Sequence, residues 1–361
     1  MAPTRRWDPS ESGGGIERLE REVVMATGIV AHGAYVPKNR LPLEEVRRFW
    51  GGLSTPAIKE KAFPSYDEDP LTMGVEAGRQ ALERSPFGAE ELGAIFFATT
   101  SGPYEEKPNV STVASALTGF SRIRVVEMGG SPRAGLQALL SAWEFSASWG
   151  KPAMAIASDA PIAHPASSLE HGLGAGAAAF VIGEGEGATT LEAVESISVE
   201  TFGERFRRRG QSYLQDLELR QDELTGSVLK AIEGLMGGAR ISLSQVEALV
   251  LPDPDGGTPA RIAKALGASP EKLLSLTPRI GDTGAASVPL GLIAALEKLE
   301  AGKRILVCSY GAGADATSWI VGEASIVSRQ RGRSLEDILE RGRIRSYKDY
   351  LKLRGFLVQK G

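Results

Sequence analysis

The sequence predicts an α/β protein assembled from two similar βαβ-rich halves, and three observations carry that prediction. Short apolar runs of strand length alternate with longer stretches of helical period from about Thr27 onward. Two pairs of segments recur in the same order along the chain. The composition, 42% hydrophobic and 24% charged over 361 residues, is that of a globular chain able to bury a large core.

Continuous apolar runs mark buried strands at Leu92 to Ala98, Ile123 to Met128, Ala153 to Ser158, Ala177 to Ile182, Ala248 to Leu251, Arg304 to Ser309 and Ser318 to Val321. Helical periodicity marks Leu71 to Arg84, Arg133 to Ser148, Asp222 to Met236, Pro259 to Leu266 and Ala286 to Leu299. GAGAAAFVIGEG from Gly174 recurs as GAGADATSWIVGEA from Gly311, and ELGAIFFATTSG from Glu91 recurs as QVEALVLPDPDG from Gln245. Both copies of the first repeat end in two β-formers, Gly and Glu, which composition alone does not require. The chain therefore divides into a flexible extension over 1–24, broken by Gly13 to Gly15, an N-terminal half over 25–186, a C-terminal half over 187–327, and a basic tail over 328–361.

Several function classes are excluded at this level. No apolar run approaches the ~20 residues of a membrane span and the N-terminus lacks a signal-peptide core, so a cytoplasmic protein without a membrane partner is expected. The single cysteine, Cys308, and three histidines cannot build a Cys/His metal cluster, so no metal is expected. A net charge of −4 argues against a nucleic-acid partner. The tail holds ten Lys/Arg against four Asp/Glu, +6 locally and −10 elsewhere, which suits covering the protein's own acidic surface. GLGAGA from Gly172 imitates a dinucleotide fingerprint but precedes a strand.

Longer strings carry a family resemblance. GIVAHGAYVPKNRL, DEDPLTMGVEAGRQAL, AIASDAPIAHPASSLEHGLGAGAAAFVIG, ERFRRRGQSYLQD, IGDTGAASVPLGLIAALE, KRILVCSYGAGADA and DILERGRIRSYKDYLKLRG together resemble the hydroxymethylglutaryl-CoA synthases of archaeal type, within the thiolase superfamily and related to β-ketoacyl-ACP synthase III. The resemblance spans residues 28 to 355. It implies a five-layer αβαβα sandwich, generally dimeric, with CoA thioesters approaching the junction of the halves. It also implies an acyl-accepting cysteine at a helix N-terminus, whose dipole favours a thiolate, with a glutamate, a histidine and an asparagine around it.

Those four positions fall on Pro132, Thr100, Pro252 and Asp282, none of which supplies the expected chemistry. Loss of the nucleophile from such a set costs on the order of 10⁴ to 10⁶ in rate. What remains is weak. Ser131 reads as a helix cap, Cys308 as a core thiol, His32 as structural and Tyr104 as packing. His164 and His171 are the only imidazoles near the site and are candidate bases. Arg207, Arg208, Arg209 and Lys264 are candidates for CoA phosphates.

The expectation is a catalytically silent, synthase-like subunit with a degenerate site that binds CoA or an acyl-CoA non-covalently or not at all. By resemblance its partners would be a catalytic thiolase-like chain and an OB-fold, zinc-ribbon acyl-CoA-binding protein, in a dimer or hetero-oligomer. Two alternatives stay open: an active acyltransferase, condensing enzyme or retro-aldolase without a catalytic cysteine, and a functional hydroxymethylglutaryl-CoA synthase.

Overall fold

A computed structural model describes residues 25–51, 57–119, 122–201, 205–216 and 221–357. The expected extension over 1–24 lies outside the described residues. In chain order the elements of the first half are β1 (Met25–Tyr35), β2 (Asn39–Pro42), α1 (Leu43–Trp50), β3 (Glu60–Phe63), α2 (Pro70–Arg84), β4 (Ala94–Ala98), α3 (Asn109–Thr118), β5 (Arg124–Met128), α4 (Ala134–Trp149), β6 (Ala153–Asp159) and β7 (Gly176–Glu186). The second half contains β8 (Thr189–Ser198), α5 (Gln221–Ala239), β9 (Ala248–Val250), α6 (Thr258–Leu266), α7 (Thr277–Ile280), α8 (Ser287–Lys298), β10 (Arg304–Tyr310) and β11 (Gly313–Ile320). The chain closes with α9 (Glu323–Gln330), α10 (Leu335–Glu340), β12 (Arg343–Ile344) and α11 (Tyr347–Leu353).

Local chemistry sets the helix ends. Asp69 accepts the Thr72 amide at 2.8 Å while the Thr72 hydroxyl accepts from the Asp69 amide, and Pro70 opens α2 where its missing N–H costs nothing. α4 stops at Gly150 in the left-handed conformation.

Nine strands form one sheet in the order β5-β4-β6-β7-β1-β8-β11-β10-β9. On one side β4 is parallel to β6, β6 antiparallel to β7 and β7 antiparallel to β1. On the other, β9 is parallel to β10, β10 antiparallel to β11 and β11 antiparallel to β8. The halves mirror one another, with β5 as the extra strand of the first. The recurring segments occupy matching places, β4 with β9 and β7 with β11. Within the sheet the halves meet where β1 pairs with β8, Gly28 with Thr190 and Ile29 with Thr189, and outside it Leu173 bridges Asp282 and Ala163 bridges Leu214.

Side-chain alternation sorts the core into three groups. Phe96, Ile305 and Val307 face a central layer with Leu136 and Leu139 of α4 and Leu292 and Leu296 of α8. Ile95 and Phe97 face α2 and α3. Leu306 and Cys308 face Val228 and Ile232 of α5. Helices thus lie outside each half-sheet and between them, the layering expected of the sequence.

The departures at β8, which the sequence reading missed, and at β11, which it found in part, have a physical reason. β8 alternates half-buried and exposed residues, TTLEAVESIS, so it lacks the continuous apolar run used to find strands. β11 begins at Gly313 rather than Ser318, because the charged Asp315 within it is paired with Arg133. The basic tail is folded over its described part, 328–357. β12 adds to β2 and β3 as a small sheet, and α11 lays Tyr347 and Tyr350 onto Leu41, Val46 and Phe63. Three of its cations bond to the chain itself: Arg329 donates to the Glu297 carbonyl at 2.8 Å, Arg345 to the Asn39 side chain at 2.8 Å, and Arg354 to the Ala160 carbonyl at 3.1 Å. Among the described residues no helix is long and apolar enough to cross a membrane.

Candidate functional site

Parallel strands gather functional groups at their C-terminal ends. Here β4, β5 and β6 deliver Thr99 to Ser101, Gly129 to Arg133 and Asp159 to one end of the first half. The loop after β9 delivers Pro252 to Asp255, and the turn before α8 delivers Asp282 to Ala286. The first turn of α4 packs directly on that turn, since a Cβ on Gly135 would clash with the Ala285 carbonyl.

Asp159, fully buried, is the knot between the two ends. Its Oδ1 accepts from the Thr99 hydroxyl at 2.9 Å, the Thr100 amide at 2.7 Å, and the Ser101 amide and hydroxyl at 2.9 and 2.7 Å. Its Oδ2 accepts from the Thr100 hydroxyl at 2.8 Å and the Ala285 amide at 2.7 Å. A carboxylate with six donors has no lone pair left for chemistry. Gly284 approaches it in the left-handed conformation, φ 59°, where a side chain would collide with Oδ2.

Across the junction Asp253 is buried with fewer donors. The Gly256 amide donates to Oδ1 at 2.7 Å and the Ser275 hydroxyl to Oδ2 at 2.5 Å. Burial, with Asp255 and Asp282 adding like charge, pushes its carboxyl up to about 6. Asp282 in turn accepts the Gly284 amide at 2.9 Å on Oδ1, while Oδ2 forms an ion pair with Nη1 of Arg205. The second terminal guanidinium nitrogen, Arg205 Nη2, is buried with no hydrogen-bond partner among the described residues. Arg205 owes its position to an antiparallel bridge in which Phe206 and Gln215 exchange amide bonds at 2.8 Å, and to Leu214 donating to the Ile162 carbonyl at 2.8 Å.

The residues singled out from sequence separate into three groups. Thr100 and Asp282 enter this network, Arg207 joins it by donating to the Thr100 carbonyl at 3.2 Å, and Pro132 sits in the turn that opens α4. Pro252 stands beside Asp253, half-buried. Arg208 and Lys264 are exposed, and Arg209 pairs with Glu105 and Glu106 in solvent. The weaker candidates are occupied elsewhere. His171 is buried, with Nε2 on the Ile58 carbonyl at 2.8 Å, and desolvation lowers it to about 4. His164 is exposed against Tyr213, ring centroids 5.1 Å apart. Tyr104 is exposed beneath Lys107, and Ser131 Oγ lies where a Cβ on Gly311 would fall.

Cys308 is fully buried and faces α5, on the opposite side of the sheet from α4 and α8, and burial pushes its thiol well above the usual range. Sequence reasoning missed Asp159, Asp253 and Arg205. One signal was available: an aspartate closing the otherwise apolar strand AMAIASD is an expensive choice unless it is held. Among the described residues no group of His, Cys, Asp and Glu could hold a metal ion.

Two mirrored half-sheets with helix N-termini meeting strand ends at their junction define a thiolase-like condensing-enzyme fold. Residues 237–322 match the family of 3-oxoacyl-[acyl-carrier-protein (ACP)] synthase III C-terminal domains. The 3-oxoacyl-[acyl-carrier-protein] synthase III of Aquifex aeolicus superposes with a TM-score of 0.73 at 21% identity, over 82% of this chain and all of its own. MvaS in complex with 3-hydroxy-3-methylglutaryl coenzyme A superposes with a TM-score of 0.77 at 20% identity, over 92% of each chain. The hydroxymethylglutaryl-CoA synthase of Pyrococcus furiosus is 35% identical over 340 residues, 91% of this chain and 95% of that one. The chain belongs to the hydroxymethylglutaryl-CoA synthase family.

That relationship corrects the expectation of a silent subunit. Full-length relatives at this identity are named as synthases, which points to a catalytic protein. The expectation took the departures at Pro132, Thr100, Pro252 and Asp282 together as the absence of chemistry. At the same strand ends the fold assembles a part-buried Arg205–Asp282 ion pair and, in Asp253, a carboxyl pushed up to about 6.

Proposed function

We propose that this protein catalyses carbon–carbon bond formation between CoA thioesters, of the kind that yields 3-hydroxy-3-methylglutaryl-CoA, without an acyl-cysteine intermediate. The observation that carries the reading is the 35% identity to a hydroxymethylglutaryl-CoA synthase across nearly its whole length. Binding of a CoA ligand is supported by the CoA-type ligand in the structural neighbour and by the exposed cations Arg207, Arg208 and Lys264.

In the proposed step Asp253 takes a proton from the carbon α to one thioester, and the electron pair of that C–H bond moves onto the thioester oxygen. The enolate carbon then bonds to the ketone carbon of a 3-oxoacyl thioester, and the proton held by Asp253 passes to the new alkoxide. The adduct carries two CoA thioesters; water then adds to the carbonyl carbon of the acetyl-derived one, its C–S bond breaks, the leaving thiolate takes the water's proton to depart as free CoA, and the new carboxyl group ionises to leave 3-hydroxy-3-methylglutaryl-CoA. Atoms and charge balance with water as the one co-reactant, no protein thiol and no redox partner. Cys308 takes no part, being on the wrong face of the sheet.

The test is incubation with acetyl-CoA and acetoacetyl-CoA, following the addition product by mass spectrometry alongside the mass of the intact protein. Product with an unmodified protein is expected. An acetylated protein would refute the route without a covalent intermediate, and no product in either direction would refute the enzyme reading.

A further inference from the structure

We infer that Arg205 is the hydrogen-bond donor to the thioester oxygen in this protein, and that Asp282 is the positioning residue that aims it. The inference rests on the CoA-thioester reading above and adds to it the group that stabilises the developing charge.

Two observations carry it. First, Arg205 uses only part of its donor set. Nη1 is committed to Asp282 Oδ2, whereas Nη2 is buried and has no hydrogen-bond partner among the described residues. A guanidinium presents donors in a rigid fork, so fixing one nitrogen fixes the direction of the other. Leaving a buried charged donor unsatisfied costs stability, and such groups persist where a ligand completes them. Second, the pair sits within the junction network. Asp282 shares its turn with Ala285, which donates to Asp159, and its charge acts on Asp253.

Charge decides which ligand atom completes the fork. Asp282 already offsets the guanidinium, so a second full carboxylate would be poorly compensated, while a neutral carbonyl that gains negative charge during reaction fits. Asp282 alone could not serve, because an ionised carboxylate repels such an oxygen. With Arg205 in place the same carboxylate becomes useful, holding the donor at fixed geometry before substrate arrives.

The experiment uses the full chain with CoA and with acetyl-CoA labelled with ¹³C at the carbonyl. Calorimetry with CoA reads binding, and NMR reads the carbonyl resonance of the bound thioester. In the unmodified protein the resonance is expected to move downfield on binding. Arg205→Gln and Arg205→Lys are expected to bind CoA within about twofold of the unmodified protein yet lose that shift. Lysine keeps the charge beside Asp282 as a point donor but lacks the second nitrogen, so it guards against simple misfolding in the glutamine variant. Asp282→Asn is expected to bind CoA and to show a reduced shift, which a purely structural role would not produce. An unchanged shift in both Arg205 variants overturns the assignment and leaves the CoA-thioester reading standing. Failure of the unmodified protein to bind CoA overturns both.

Discussion

Asp159 and Asp253 are buried aspartates at strand ends, one in each half, and their surroundings differ in a single respect. Asp159 is met by six donors contributed by both halves, whereas Asp253 is met by one amide and one hydroxyl. The first is saturated and serves as a clip. The second keeps unfilled acceptor capacity and a carboxyl raised to about 6, the condition of a group able to take and return a proton. Donor count, not burial, separates scaffold from chemistry here.

The comparison can be broken most forcefully at Asp159. Replacing it with alanine strands six donors, and a loss of more than about 3 kcal/mol in unfolding free energy is expected by denaturant titration. Near-normal stability would show that water satisfies those donors and that the clip is unimportant. Asp253→Asn is expected to behave oppositely: the Ser275 hydroxyl can turn to accept from the new amide, so folding is retained, while turnover falls roughly 10²- to 10⁴-fold.

The pH dependence sharpens the same contrast. A carboxyl raised in the folded state adds relative stability that is fully present below its unfolded pKa and is lost as pH rises through about 6. Turnover that depends on its ionised form should rise over the same interval, and Asp253→Asn should abolish that inflection. Lys61 supplies a second titration far from the junction. Buried beneath Tyr350 and donating to the Glu170 carbonyl and the Tyr350 hydroxyl, it is lowered to about 7. The folded state then binds fewer protons than the unfolded state between about 7 and 10.5, so stability should climb with pH across that window and fall away toward pH 7. Lys61→Met should flatten the climb in thermal melts from pH 7 to 9.5. The smallest effect is expected at Cys308→Ala, which should cost about 1 kcal/mol of packing and leave turnover unchanged.

The fold was legible in the sequence because buried strands and internal repetition leave marks in composition. AIFFA and RILVCSY announce themselves, and GAGAAAFVIGEG with GAGADATSWIVGEA places β7 and β11 in equivalent positions. β8 was not legible because one face is polar, and the tail helices were not because each is only two turns or less of periodic pattern. The site was half legible. Thr100, Pro132, Pro252 and Asp282 lie at the strand ends and turns of the junction, but what surrounds them depends on partners far away in the chain. Arg205 lies 77 residues from Asp282, in a basic run whose other members face solvent, and no local pattern distinguishes it from them. Asp253 carried no signal beyond a turn-like LPDPDGG, since its unusual proton affinity arises from burial that only the tertiary structure creates.

The meeting of β1 with β8 has a mechanical corollary. Among the described residues β1 pairs with β8 only at Gly28 and Ile29, and a Cβ at residue 28 would press into the Thr189 carbonyl. One methyl group at that point acts as a wedge driven into a seam two stitches long. Gly28→Ala therefore offers a handle for prying the architecture apart without touching any group that meets substrate.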